Sequence, residues 1–442
     1  MAAMTRVSKK RLEICCWPVG QGLFGHMEVR AAEAAFRIVY DCGGLGSDPD
    51  HVQNKVRDLE AHRVDLLVLS HFHLDHISGV PALVNSKQVG RAWIPYLAPQ
   101  VRVVFATALA AQATLAGLLP ANYVEPLRLV GNPRGWFGAR GVPVDELGGP
   151  AAPGEAGPPR PPRPPRERPP DGPRGDAPDA GRGLSLGQWA PWPEAFRDGS
   201  ATRAARAELG TGGPTAELVL TLATWVTPLQ QRVLQILASE TRHILGAKAG
   251  PLFQGLFEAG APEISHAEVK RLAETVQQHV SRRALQVLYR RLQRDLNATS
   301  LFLLARGVQR KRSLSLWTRC QWPWVMRRHS LPGTMAASGP CSPAALWTGD
   351  APSAVLMGML ADVGCGLAAL LKSPAVWQVP HHGSHESFAP RFYEFLSPCG
   401  AFLSCGRDNR YGHPSAQVVR HTSPLVITED CRPMAAGMTW DW

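Results

Sequence analysis

The chain has 442 residues, which is enough for two or three average domains, so the size of the hydrophobic core is not limiting. Its 47 lysines and arginines outnumber 36 acidic residues, and the formal charge of +11 favours an anionic partner, although a generally basic proteome is the alternative explanation. The nine cysteines show no Cys-x-x-Cys spacing, which argues against a disulfide framework and a thiolate zinc site. No apolar run of signal-peptide or membrane-span type follows the basic N-terminus, so we expect a soluble, cytoplasmic protein with no membrane partner.

The N-terminal part is rich in short β-type runs. Residues 14–19, 25–29 and 36–40 are separated by glycine and alanine turns, a pattern typical of antiparallel hairpins. Residues 65–70 differ, because their apolar side chains do not alternate with polar ones. This pattern predicts a central strand that is covered on both faces.

The middle of the chain changes composition twice. Residues 98–147 predict a helical or loop extension, and residues 148–183 are so rich in proline and arginine that they predict a disordered linker. A plain spacer is one interpretation of this linker, and a Pro-x-x-Pro ligand for a protein partner is the other. Apolar residues at helical spacing then predict a helical insert over residues 184–294, with helices at 228–245 and from residue 265.

Strand patterns return in the C-terminal part, at residues 299–305, 345–348, 375–379, 400–404 and 425–428. The chain therefore runs from strands through helices to strands. The simplest arrangement is one α/β sandwich whose halves, residues 12–97 and 295–432, are separated by the extension, the linker and the insert.

The motif with the most specific chemistry is His71-x-His73-x-Asp75-His76, which directly follows the predicted central strand. Imidazoles and a carboxylate suit zinc, iron or manganese. Alternate residues His71 and His73 can bind one metal ion, while Asp75 and His76, displaced along the turn, can reach a second. The alternative is a histidine-rich loop without a metal.

Two further strand ends offer ligands. Asp350 follows the strand at 345–348 and is the candidate for a carboxylate that bridges two metal ions. His381 and His382 follow the strand at 375–379. An adjacent histidine pair of this kind more often supplies one ligand and one supporting or substrate-contacting group, so we predict His381 as the ligand and keep His382 as the alternative.

The order of these motifs resembles the hydrolase domain of the ComEC competence DNA-uptake family, within the metallo-β-lactamase superfamily. The resemblance covers residues about 12–97 and 295–430 and rests on Gly20-Gln21-Gly22, Tyr40-Asp41-Cys42-Gly43, the motif from His71 to His76, Asn297-Ala298-Thr299-Ser300, Thr348-Gly349-Asp350, His381-His382-Gly383-Ser384 and Gly412-His413-Pro414-Ser415. It implies an αββα sandwich. Because the sequence shows no hydrophobic channel segment, it implies the hydrolase module and not DNA uptake.

The chain departs from the family pattern at three positions. His73 stands where ComEC-like domains often have aspartate, and Leu23 stands where an acidic residue is common. Asn297 lies where superfamily members such as glyoxalase II place a third histidine before the bridging aspartate. The last difference puts the affinity of the first metal pocket in doubt.

The resemblance also implies a mechanism. Two divalent metal ions, zinc with manganese or iron as alternatives, would hold a bridging hydroxide and bind a phosphoryl oxygen. Asp75, besides ligating, would accept a proton, and His413 or His382 would protonate the leaving oxygen. Supporting roles beside the ligands fall to Asp41, Asn297 and Ser384, although Asp41 alone also fits an ordinary strand-end turn.

A basic, aromatic segment at residues 306–345 separates the Asn297 and Asp350 strands and contains no acidic residue. Arginines can neutralise phosphates while indoles stack on bases, so the segment predicts a platform for single-stranded nucleic acid. Packing of the tryptophans on the insert is the alternative. The predicted substrate contacts are Arg327, Arg328, Trp322 and, outside the segment, Asn409.

The sequence thus predicts a cytoplasmic two-metal hydrolase, specifically a phosphodiesterase or nuclease. One alternative is hydrolysis of a small ester, thioester or lactam by the same metals, since a fold does not fix a function. The other is a metal-poor scaffold that binds a protein or nucleic-acid partner. The oligomeric state is not predicted.

Overall fold

A computed structural model provides the fold. It describes residues 9–31, 34–45, 50–59, 63–98, 101–102, 105–106, 121–147, 184–186, 190–191, 203–211, 218–226, 297–307, 314–319, 342–362, 371–407, 411–429 and 433–441, together with the single residues 230, 232, 239, 274, 368 and 409.

The first sheet has eight strands. Three of them, β1 (Lys9–Cys16), β2 (Phe24–Ala31) and β3 (Ala34–Cys42), form the predicted antiparallel hairpins. Next to β3 lie three parallel strands, which are β5 (Leu66–Val68), β7 (Ala92–Pro95) and β8 (Val144–Leu147). The edge beyond β1 is formed by β19 (Met434–Asp441) and then β14 (Leu314–Arg319). The short strands β4 (Arg63–Val64) and β6 (Gln88–Val89) pair with each other.

Helices cover the outer face of this sheet, namely α1 (His51–Asp58), α2 (Leu74–Ile77), α3 (Val80–Ser86), α4 (Ala121–Gly131) and α5 (Pro133–Gly138). The central strand β5 is buried along its whole length, as its apolar pattern predicted. Its Leu67 packs towards the helices, whereas Leu66 and Val68 pack towards the second sheet. This alternation is expected, because successive side chains of a strand point to opposite faces.

The second sheet contains β10 (Ala190–Pro191), β11 (Arg203–Thr211), β12 (Leu218–Val226), β13 (Leu303–Gly307), β15 (Ser342–Trp347), β16 (Pro374–Gln378), β17 (Ala401–Ser404) and β18 (Leu425–Ile427) in that order, with β9 (Leu184–Leu186) paired to β11. From β15 to β18 the strands are parallel. The outer face of this sheet packs against α6 (Ser353–Asp362), α7 (Pro390–Leu396) and α8 (Ala416–Thr422).

A continuous apolar layer joins the two sheets. Trp347 of β15 lies at its centre, with its ring centroid 5.1 Å from that of Tyr40 on β3 and 5.1 Å from that of Phe402 on β17. With helices packed outside each sheet, the architecture is the predicted αββα sandwich. Strand β19 lies between β1 and the edge strand β14 and pairs with both.

The prediction of a helical insert over residues 184–294 is wrong for its first part, because β9 to β12 extend the second sheet there. The segment Arg203-Ala-Ala-Arg-Ala-Glu consists of good helix formers, but eight residues of β11 lie alongside β12 in an antiparallel pair. Pairing with neighbouring strands overrides local propensity in such segments. The predicted helices at 228–245 and from 265 fall almost entirely outside the described residues, as does the predicted linker.

Within the part of the chain that the structure describes, no helix combines the length and apolarity needed to cross a membrane.

Candidate metal centre

The predicted ligands converge where strands of both sheets end. The motif His71 to His76 follows β5 and leads into α2, while Asp350 follows β15 and the histidine pair follows β16. Because β3, β5 and β7 are parallel, as are β15 and β16, the carboxyl ends of these strands meet at one edge. Ligand sites of α/β folds typically form at such an edge.

The first group of potential ligands consists of His71, His73 and Asp350, whose ligand atoms all lie within 4.8 Å of one another. His71 Nε2 lies 3.0 Å from His73 Nδ1 and 3.9 Å from Asp350 Oδ2. Nitrogen ligands bind zinc at about 2.0–2.1 Å, so these separations suit one shared cation.

The second group consists of Asp75, His76, Asp350 and His382. His382 Nε2 lies 3.3 Å from Asp75 Oδ2, and His76 Nε2 lies 3.2 Å from Asp350 Oδ1. Asp350 therefore belongs to both groups. This is the position that a bridging carboxylate needs, as the sequence predicted for this residue.

Three histidines, His71, His76 and His382, direct their Nε2 atoms towards the other ligand residues of the centre. Ser70 Oγ donates its single hydrogen to Asp41 Oδ2, so its 2.9 Å contact with His71 requires His71 Nδ1–H to donate. His76 Nδ1–H donates to Asp41 Oδ2 at 2.8 Å, and His382 Nδ1–H donates to the Ser404 carbonyl at 2.8 Å. When such a ring is neutral, the proton on Nδ1 leaves a lone pair on Nε2, which is what a metal ligand requires.

Asp41 holds Ser70 and the ligand residue His76 in place through hydrogen bonds. Its buried carboxylate accepts hydrogen bonds from both the amide and the hydroxyl of Ser70, each at 2.6 Å, in addition to the bond from His76. The prediction that Asp41 orients a ligand histidine therefore agrees with its contacts. Asp41 has φ of 55°, a backbone conformation that aspartate tolerates better than most residues.

The electrostatics of the centre favour bound cations. Burial lowers the pKa of His73 to about 4 and that of His71 well below its usual range, so both rings are neutral. Burial also disfavours charge on His76, but the carboxylates of Asp350, Asp41 and Asp75 outweigh it and raise its pKa well above the ordinary value. Three carboxylates that stabilise a proton on His76 would also stabilise a divalent cation, and because metal ligation needs deprotonated ligands the cation would replace that proton.

Several ligand atoms lack partners. Among the described residues, His73 Nε2, His76 Nε2 and Asp350 Oδ1 are buried without a well-formed hydrogen bond, and the last two atoms face each other at 3.2 Å. Buried polar atoms are nearly always hydrogen-bonded, so such a set in one place needs an explanation. The donor types, their spacing and these unpaired atoms together fit two divalent metal ions.

Residues 32–106 match the Metallo-beta-lactamase superfamily. The match contains the His71–His76 motif and the strands that carry it. It ends before Asp350 and His382, which the fold brings to the same place. No curated protein matches the chain. The finer resemblance to the ComEC hydrolase domain stays a prediction.

Two glycines, Gly22 and Gly349, allow the close packing around the ligand residues. A Cβ atom on Gly22, whose φ is 149°, would meet the Asp75 carbonyl at 2.5 Å. A Cβ atom on Gly349, whose φ is 54°, would meet Ser70 Cβ at 2.8 Å. The amide of the next residue, Asp350, donates to Ser300 Oγ at 3.1 Å, which holds the backbone at Asp350 in place.

The geometry corrects the prediction of His381 as the ligand, because His382 completes the second group. His381 Nδ1 contacts Ser387 Oγ at 3.1 Å, and its Nε2 lies 3.4 Å from Asn297 Nδ2. Both histidines have φ near 50°, which turns their side chains in different directions from one tight turn. Asn297 is buried beside His381, so its predicted supporting role concerns that ring.

The remaining predicted site residues lie around the mouth of the centre or outside the described residues. Ser384 is buried, and its hydroxyl accepts from the Glu386 amide at 3.3 Å, so it shapes the turn after the histidine pair. His413 is half-buried, with its ring centroid 5.5 Å from that of His381. Arg327, Arg328 and Trp322 fall outside the described residues.

The predicted contact of Asn409 with substrate stays a prediction, and the structure shows its side chain bound to the backbone of its own loop. Its Oδ1 accepts from the His413 amide at 2.9 Å, and its Nδ2 donates to the carbonyls of Gly406 and His413 at 2.8 and 2.6 Å. These contacts occupy the carboxamide, so Asn409 positions the loop that carries His413. The predicted basic loop at 306–345 needs correction, because residues 314–319 form the edge strand β14.

Sequence reasoning missed Ser70, Ser300 and Ser387, which contact the ligand residues or their neighbours. Ser70 directly precedes the histidine motif, and Ser300 belongs to a motif that carried only Asn297 as a candidate. Their adjacency to predicted ligands was the available signal. Tyr411, which is 69% exposed and stacks on His413, was also missed.

Proposed function

We propose that the protein is a two-metal phosphodiesterase that cleaves nucleic acid. The observation that carries the proposal is the position of Asp350, which lies in both potential ligand groups. His71 and His73 would hold one ion, Asp75, His76 and His382 the other, and Asp350 both. Zinc is the expected metal, because the set is dominated by imidazoles with carboxylates.

Two divalent cations held by these residues would supply a nucleophile from water and would neutralise the charge on a phosphoryl oxygen. The chain's own residues fix the arrangement in which this chemistry happens. Asp41 and Ser70 hold His71 and His76 in the required tautomers, and the Ser404 carbonyl does the same for His382. Preorganised groups of this kind reduce the reorganisation that a reaction must otherwise undergo.

The leaving oxygen of a phosphodiester needs a proton or a cation. His413 is half-buried near His381 at the mouth of the centre and is a candidate for this contact. His382, the other residue predicted for this role, has its Nδ1 committed to Ser404 and its Nε2 in the second ligand group. We therefore assign the contact with the leaving group to His413 alone.

Three sequence features support a phosphodiester substrate over a small ester, thioester or lactam. The formal charge of +11 favours a polyanion, and the segment at 306–345 combines arginines with tryptophans. The order of the motifs also resembles a family that handles DNA. Arg327, Arg328 and Trp322 remain proposed contacts with a single strand.

The test uses Asp350→Asn, which keeps the shape of the side chain but removes the shared negative charge. Asp58→Asn is the matched control, because Asp58 is exposed and forms only a long ion pair with Lys55 at 3.8 Å. Each protein is reconstituted with Zn²⁺ or Mn²⁺, its metal content is measured, and it is incubated with labelled single- and double-stranded DNA and RNA.

We expect the wild type and Asp58→Asn to bind two ions per chain and to cleave at least one of the nucleic acids. Asp350→Asn should lose both properties. If the wild type binds two ions and cleaves no nucleic acid but hydrolyses a small ester or lactam, the phosphodiester assignment is wrong. If the reconstituted wild type holds no metal, the hydrolase proposal itself fails in favour of a binding scaffold.

A further inference from the structure

Three rings lead from the metal centre to the protein surface. His381 Nε2 lies 3.8 Å from Asp350 Oδ2, and the His381 ring centroid lies 5.5 Å from that of His413. The Tyr411 ring in turn stacks on His413, with centroids 6.0 Å apart and an angle of 15° between the planes. Tyr411 is 69% exposed, so one face of this ring series is open to solvent next to the site.

The loop that carries the outer two rings is held in place by the protein. Asn409 binds the backbone at Gly406 and on both sides of His413, as described above. Gly406 lies against Gln21, whose side-chain Oε1 is 3.4 Å from the Gly406 amide. The Ser415 amide donates to the Gly383 carbonyl at 2.9 Å, which joins the far end of the loop to the histidine pair. Tyr411 is thus presented on an anchored loop.

The Tyr411 ring stacks on His413 and is nevertheless 69% exposed, so a second planar group can stack on its open face. Base stacking on aromatic side chains is a main source of affinity for single-stranded nucleic acids, and it tolerates any base sequence. Bases of a duplex are already stacked on each other, so a single strand fits this surface better.

We infer that Tyr411 is a stacking platform for an unpaired nucleobase that flanks the phosphate to be cleaved. The inference rests on the proposed phosphodiesterase function and narrows it to single-stranded substrates. Tyr411 determines specificity in this scheme and does not take part in bond cleavage. His413, between Tyr411 and His381, separates the base from the reacting phosphate.

The test compares wild type with Tyr411→Phe, Tyr411→Leu and Tyr411→Ala. Phenylalanine keeps the ring, leucine keeps apolar cover for His413 without a ring, and alanine removes both. Two probes are used: an oligothymidylate, and an oligomer of equal length built from abasic deoxyribose phosphates. The dissociation constant of each labelled probe is measured by fluorescence anisotropy, and KM and kcat are measured on both.

For oligothymidylate, we expect Tyr411→Leu and Tyr411→Ala to raise the dissociation constant and KM on the order of 10-fold, the size of one lost base-stacking contact. The kcat should stay near the wild-type value, and Tyr411→Phe should behave like wild type. On the abasic oligomer all four proteins should give the same constants. Unchanged melting temperatures would show that the variants fold.

The inference is overturned if the variants change the dissociation constants of both probes equally. It is also overturned if Tyr411→Ala binds oligothymidylate as tightly as the wild type, or if Tyr411→Leu binds it as tightly as Tyr411→Phe. A wild type that does not distinguish the two probes overturns it as well. The dissociation constants test the stacking contact whether or not the protein cleaves the probes. If the wild type cleaves neither probe and none of the DNA and RNA substrates named above, but the ring-dependent difference in binding is present, the phosphodiesterase proposal fails while the stacking platform stands.

Discussion

His382 Nε2 lies 3.3 Å from Asp75 Oδ2, although 307 residues of sequence separate the two. Asp75 belongs to the turn after β5 in the first sheet, and His382 to the turn after β16 in the second. The second ligand group therefore exists only when the two sheets are packed on each other. Metal binding at this group should report the docking of the two halves of the sandwich.

The first prediction separates His382 from its neighbour. His382→Ala should remove one of the two bound ions, because it deletes a ligand of the second group, whereas His381→Ala should retain both. The measurement is the metal content of each variant after reconstitution with Zn²⁺ and removal of free metal. Loss of an ion from His381→Ala and not from His382→Ala would restore the assignment that the sequence favoured.

The histidine pair shows where sequence reasoning stops. The motif from His71 to His76 was predictable, because four ligand-type residues follow directly on a buried strand. The choice between His381 and His382 depends on two consecutive residues with φ near 50° and on the Ser404 carbonyl, which accepts from His382. Neither feature has a local sequence pattern, so only the fold distinguishes the two rings.

Some strands could likewise be predicted from the sequence, and others could not. β5 was predictable from its uninterrupted apolar run, and β1 to β3 from their turns. β11 was not, because its alanines, arginines and glutamate favour a helix in isolation. Its strand conformation depends on pairing with β12 and β9, and such partners cannot be identified from the segment itself.

The second prediction concerns Ser70, which touches no metal position but holds His71 and Asp41. Ser70→Ala removes the acceptor for His71 Nδ1–H and a donor to Asp41. We expect metal affinity to fall about 10- to 100-fold, the usual effect of losing a group that orients a ligand. Titration with Zn²⁺ against a competing chelator gives the two dissociation constants.

Ser387→Ala is the matched control for Ser70→Ala. Ser387 is equally buried and also contacts a histidine ring, but that ring belongs to His381, outside both ligand groups. The metal affinity of the Ser387→Ala variant should equal that of the wild type. Equal losses in the two serine variants would mean that the effect comes from general packing and not from the orientation of His71.

The third prediction links metal to stability. The buried carboxylates and unpaired nitrogen atoms of the centre exist only in the folded chain, so a bound cation stabilises the folded state. At a free metal concentration about 100 times the dissociation constant, the gain is about 2.7 kcal/mol. Zn²⁺ should therefore raise the melting temperature of the wild type and of Asp58→Asn, and leave Asp350→Asn unchanged. An equal rise in Asp350→Asn would place the metal elsewhere.

The fourth prediction concerns His26 on β2, away from the ligands. Burial lowers the pKa of His26 from 6.5 to about 4, and the nearby Glu28 only partly offsets this effect. Below the ordinary pKa the unfolded chain binds a proton that the folded chain does not, so His26 costs stability as the pH falls from about 6.5 to about 4. The full loss is about 3 kcal/mol, since each pKa unit corresponds to about 1.4 kcal/mol.

His26→Gln should remove this pH-dependent loss of stability, because glutamine does not titrate. The free energy of unfolding is measured in denaturant at several pH values across that window, and the difference between wild type and variant is followed. The free energy of unfolding of His26→Gln should rise relative to that of the wild type as the pH falls. His421→Gln is the matched control, since His421 is exposed on α8. A constant difference between His26→Gln and wild type would show that His26 binds its proton equally in both states.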